Sequence, residues 1–136
     1  MIQLGQYIAS KRHDAFEWGV NDCHTFVLEM HDTVYGTQWL QDLKNKYNTR
    51  MGAYRLAKTW DAQQQMQFMG YDEAGDMCSG DVVLVPHKGG YFAHIVLQND
   101  LYSVDPDLGF TRCKIKEFCK SIKEYSIWRM TCHKLP

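Results

Sequence analysis

The hydrophobic periodicity changes once along the chain, near Gly80, and that change limits the folds open to it. Before it, apolar residues recur at helical spacing. Leu4, Tyr7 and Ile8 fit one face of a short helix ending near His13. Positions 23, 26, 27, 30 and 34 fit one face of a second helix, capped by Asp22 and stopped at Gly36. Further helices are expected over about 38–47 and 51–65. After Gly80 the pattern is that of strands, at 81–85 (closed by Pro86), 91–98, 101–105, 110–115 and 125–132. Lys88-Gly89-Gly90, Asn99-Asp100 and Pro106 to Gly109 supply the turns, and a short helix fits 117–121. Helices first and antiparallel strands after is an α+β pattern, with N-terminal helices packed on a C-terminal antiparallel sheet.

At 136 residues the chain is expected to form one domain over 1–136. A content of 45% hydrophobic residues supplies a core and argues against disorder. The longest aliphatic run, Val82 to Val85, is far short of the roughly 20 apolar residues of a spanning helix, so no membrane insertion is expected. A net charge of −1 gives no reason to expect a nucleic-acid partner. Charge is unevenly placed, however, because residues from 111 onward carry a net +5. A solvated face explains this simply, and a docking surface for an acidic partner is the sharper alternative.

The five cysteines are Cys23, Cys78, Cys113, Cys119 and Cys132, an odd number that argues against a secreted disulfide framework. No C-x2-4-C pair occurs, and the adjacent Cys23-His24 and Cys132-His133 side chains diverge on regular elements, so neither zinc nor any other cofactor is expected. Cys78, Cys113, Cys119 and Cys132 are expected to be small buried hydrophobes.

Cys23 differs because it opens a helix, where unpaired N–H groups favour an anion and can receive an oxyanion. Asp22 beside it works the other way. A thiol nucleophile needs a base. His24 and His31, at offsets of 1 and 8, turn away from Cys23 on the same helix, and His13, His87 and His133 fit solvated or turn positions. His94 interrupts the apolar strand Phe92 to Leu97 and so needs a reason to be there. With Asn99-Asp100 as a two-residue turn, His94 falls opposite Asp105, whose carboxylate would orient the imidazole; Asp105-Pro106 as a simple turn opener is the alternative.

These residues resemble a known family. Trp18-Gly19 with Asn21-Asp22-Cys23 resembles the W-G…D-C signature of NlpC-type, papain-like cysteine peptidases. Ser79-Gly80-Asp81-Val82-Val83-Leu84 resembles their G-D-L-V-F strand, and His94-Ile95-Val96 their histidine strand. The layout, with Arg50-Met51-Gly52-Ala53 and Ser126-Ile127-Trp128-Arg129, is similar to a small branch found in phage tail-gene neighbourhoods. The resemblance implies a papain-like α+β fold and thiol hydrolysis of peptide bonds in peptidoglycan stem peptides. Cys23 would be nucleophile, His94 general base and Asp105 the polar third residue. It also implies other phage tail proteins as partners. With Met1 to Gln6 unlike a signal peptide, the host cytoplasm during assembly, or the virion tail, is the expected location. A tail component that kept the fold and lost the chemistry is the alternative, and a thiol acyltransferase or amidase a third.

Overall fold

A computed structural model describes residues 2–131. Five α-helices precede or flank six strands: α1 (Ile2–Lys11), α2 (Cys23–Tyr35), α3 (Arg50–Leu56), α4 (Ala62–Phe68), β1 (Tyr71–Ala74), β2 (Val82–His87), β3 (Gly90–Leu97), β4 (Asp100–Asp105), β5 (Gly109–Lys114), α5 (Ile115–Ser121) and β6 (Ser126–Met130). The strands form one antiparallel sheet in the order β1-β6-β2-β3-β4-β5. The α+β class expected from the sequence is the class observed.

α2 is built as its sequence requires. The Asp22 carboxylate accepts from the His24 and Thr25 N–H groups while the Thr25 hydroxyl accepts from the Asp22 N–H, a reciprocal capping box. Gly36 ends the helix in the left-handed region. The apolar stripe of Phe26, Val27 and Met30 is buried against the sheet, each such side chain contributing about 1.5–3 kcal/mol of transfer free energy.

The sheet separates two cores. Val82, Leu84, Ala93, Ile95, Val104 and Trp128 pack with α1 and α2 on one face. Val83, Val96, Leu101 and Ile127 meet Phe118 of α5 on the other. Alternation along β2 and β3 is unbroken, since their register runs without a bulge from Val82↔Ile95 to His87↔Gly90.

Several expectations are corrected. The helix expected over 38–47 is only a short 3-10 turn at Trp39–Asp42. That expected over 51–65 is two seven-residue helices, because Asp61 starts a new one by accepting from the Gln63 N–H. β1 lies upstream of the expected start of the sheet. β2 runs through Pro86 instead of ending there. The β3–β4 turn is Gln98-Asn99, with Gln98 in the left-handed region at φ 56° and Leu97 paired with Asp100. Cys78 and Cys113 are exposed and Cys119 half-buried, because Cys78 sits in the loop before β2 and Cys113 on an outer strand. Cys132 and His133 lie outside the described residues.

Candidate functional site

A cleft of about 420 Å³ opens where the start of α2 meets α3, α4, the β2–β3 hairpin and the β4–β5 turn. Asp22 and Cys23 lie in it, Trp18, Tyr47 and Trp60 give it aromatic walls, and Asp105 stands at the strand turn. The entry to this floor depends on one glycine. Gly19 has φ +76°, and a Cβ there would collide with the Tyr47 carbonyl oxygen, so only glycine lets the two segments meet. The Asn45 N–H donates to the Gly19 carbonyl at 2.8 Å and locks that contact.

Asp22 is 3% exposed and fully engaged. Besides the helix amides, its Oδ2 accepts from the Gly19 N–H at 2.9 Å and from the Tyr47 hydroxyl. Tyr47 was not foreseen from sequence. It lies 25 positions from its partner, in a segment with helical texture, and only the nearby Trp18-Gly19 pair hints at a close approach.

Cys23 lies at the start of α2, buried at 9% exposure. Burial, and after it the Asp22 charge, push its thiol up to about 12. The backbone amides of Ala93 and of Cys23 pull the other way but lose. The thiol is therefore protonated at neutral pH, and the helix terminus alone does not make it a thiolate.

His94 is not at this site. It alternates with Ala93 and Ile95, which face α2, and its ring packs at 5.6 Å and 64° on Phe118, across the sheet. It does not line the cleft. Its Nδ1 is buried with no hydrogen-bond partner among the described residues, and burial lowers its pKa to about 4. The residue on β3 whose backbone meets the thiol is Ala93. The structure thus keeps Cys23 and His94 apart.

The pairing of His94 with Asp105 is also corrected. With Leu97 opposite Asp100, the observed register carried down the hairpin sets Ser103, not Asp105, against His94, and the Ser103 hydroxyl donates to the Ala93 carbonyl at 2.7 Å. Asp105 shapes the turn into β5, its Oδ1 accepting from the Asp107 and Leu108 N–H groups at 2.8 and 3.0 Å. It does line the cleft, and its charge acts on both Cys23 and His94.

Among the described residues the histidines in the cleft are His24 and His87. His24 donates its Nε2–H to the Tyr91 carbonyl at 2.7 Å and stands edge-on to Trp60 at 5.3 Å, and burial lowers its pKa. A neutral ring pinned in this way is a wall. His87 stacks on Phe92 at 4.1 Å. Two cations sit over cleft rings, Arg50 over Trp18 at 5.8 Å and Lys88 over Tyr54 at 6.0 Å. What the arrangement offers is a shaped, largely aromatic recess with a neutral thiol in it. Among the described residues no group of three or more His, Cys, Asp or Glu is placed to hold a metal ion, and no helix is long and apolar enough to cross a membrane.

Residues 2–121 match a family model described as Domain of unknown function (DUF6950). A search of curated proteins finds no match.

Proposed function

We propose, for a chain that belongs to the Domain of unknown function (DUF6950) family, a papain-like layout of the NlpC type whose cleft binds peptide without cutting it. The order of a cysteine-led helix, a Gly-Asp strand and a following hairpin supports the layout. One observation carries the loss of hydrolysis: Ala93 takes the strand position that meets the Cys23 thiol, and His94 packs on the far face. A thiol at about 12 that no imidazole among the described residues reaches has no route to a thiolate at neutral pH. The role left to the domain is recognition or structure, and the sequence resemblance suggests a phage tail as its setting and cell-wall stem peptides as the ligand.

A second reading, thiol hydrolysis of those stem peptides, draws on the Cys23 thiol lying in the cleft at a helix start, where N–H groups suit an oxyanion. It needs a base that ligand or partner would bring. Incubating the chain with peptidoglycan fragments, and following both complex formation by tryptophan fluorescence and products by mass, separates the two. Saturable binding without products, unchanged in Cys23→Ala, fits the binding reading. Turnover that disappears in Cys23→Ala overturns it.

A further inference from the structure

The six-stranded sheet ends in β1 on one side and β5 on the other. Both outer strands carry exposed charge, and the signs are opposite. β1 presents Asp72 and Glu73, whereas β5 presents Arg112 and Lys114. Arg112 is already paired with Asp100 at 2.9 Å, while Lys114 makes no ion pair among the described residues.

Strand direction makes these edges compatible. Every neighbouring pair is antiparallel and the strand number is even, so β1 and β5 run in opposite directions. A second copy set beside the first, same way up, therefore lays its β1 antiparallel to the first copy's β5 and continues the pattern. The faces agree as well. Glu73 shares a face with Tyr71, which packs in the α1–α2 core. Arg112 and Lys114 share a face with Phe110, whose ring meets Phe26 of α2 at 6.4 Å. Glu73 of one copy thus arrives on the side that carries Lys114 of the next.

The like-with-like contacts are disfavoured. β5 against β5 sets Arg and Lys against Arg and Lys, and β1 against β1 sets acid against acid. Charges on an outer strand commonly block pairing. Here they block self-matched pairing and leave the mixed contact open. We propose that this chain associates head to tail with further copies of itself, β1 of one adding to β5 of the next, with Glu73 and Lys114 selecting the register. Such a contact is not self-complementary, so it builds a ring or a filament and not a closed dimer. β1 has only four residues, so each contact is small and assembly depends on concentration and salt. The inference does not depend on what the cleft binds.

Sedimentation velocity on the full chain tests it, over a concentration series at about 20 mM and about 500 mM salt. The wild type is expected to form species beyond a dimer as concentration rises at low salt, and to return to monomer at high salt. Glu73→Lys and Lys114→Glu, each exposed and checked by circular dichroism, should each stay monomeric. Mixed in equal amounts they should associate again, since the two reversals together restore an acid opposite a base at positions 73 and 114 in both mixed contacts. A wild type that is monomeric throughout, or stops at a dimer, overturns the proposal. So does a mixture that stays monomeric, or a single variant that assembles as the wild type does.

Discussion

His94 and Phe118 are ring partners, 5.6 Å apart, on the face of the sheet turned away from the Cys23 thiol. The contact makes the histidine part of the packing beneath α5. It also leaves Nδ1 buried and unpartnered among the described residues, a state that costs about 1–3 kcal/mol. His94→Leu keeps the apolar contact and removes that polar atom. The variant should stay within about 1 kcal/mol of the wild type at pH 7, or gain stability, by urea unfolding. A loss of several kcal/mol would mean that the backbone of Val83, opposite His94 on β2, holds the ring.

The thiol at about 12 gives a direct chemical expectation. At pH 8, alkylation followed by peptide mapping should modify the exposed Cys78 and Cys113 and leave Cys23 untouched. Because the Asp22 charge is the second cause of the upward shift, Asp22→Asn should lower the pH at which Cys23 reacts. Rapid labelling of Cys23 in the native wild type at pH 7 would contradict the first statement and favour the hydrolase reading, and an Asp22→Asn profile identical to the wild type's would contradict the second.

Asp22 also holds the site together, since two helix amides, the Gly19 amide and the Tyr47 hydroxyl all donate to it. Asp22→Ala loses a cap worth about 1 kcal/mol and strands buried donors at about 1–3 kcal/mol each, so a loss of about 3 kcal/mol is expected. Asp22→Asn keeps one oxygen for the two helix amides but sets an NH2 group against the Gly19 N–H, so it should lose less than Asp22→Ala without matching the wild type. Chemical denaturation of the two variants side by side measures this, and equal losses would refute the assigned bonding.

Gly19 and Gly36 both sit in the left-handed region, at φ 76° and 70°, but only Gly19 is crowded. Gly36→Ala meets nothing within 4 Å and should lose only the backbone preference, about 1 kcal/mol. Gly19→Ala adds a clash with backbone at Tyr47, which cannot swing aside as a side chain would. Its thermal midpoint should fall by clearly more than that of Gly36→Ala. Similar midpoints would mean that Tyr47 does not pack where it is described.

How much of this was legible in the sequence can be read residue by residue. α2 was, because Asp22, an apolar stripe and Gly36 all mark the same element. β1 was not, because Asp72 and Glu73 are exposed on an outer strand and dilute the alternation that identifies strands. The hairpin is legible but its turn is off by one residue, since Asn99-Asp100 reads as a turn while Gln98 takes the left-handed position. That single shift moves every cross-strand partner by two and gives His94 a serine neighbour. Cys23 was found as a helix-start thiol, but neither its burial nor the face on which His94 lies is written locally. Both depend on which side of the sheet the helices choose. The aromatic cleft walls come from segments far apart in the chain, so no motif announces them.

Four histidines set the response to acid. Burial lowers the pKa of His31 and of His94 to about 4 and those of His24 and His87 in the same direction. The unfolded chain, with histidines near the ordinary value of about 6.5, therefore binds more protons than the folded one between about 6.5 and 4. The contribution is complete above about pH 6.5 and lost as pH falls through this window, at up to about 1.4 kcal/mol per pH unit for each group. Most carboxylates protonate below about pH 5, so the upper part of the decline belongs to the histidines. Urea unfolding at pH 7, 6.5, 6, 5.5 and 5 should show little change over the first step and stability falling at each later one, on the order of 1 kcal/mol or more per unit in its steeper part. His94→Leu should make that decline shallower without changing where it begins. A wild type equally stable at pH 7 and pH 5 would show that these rings are not buried in neutral form.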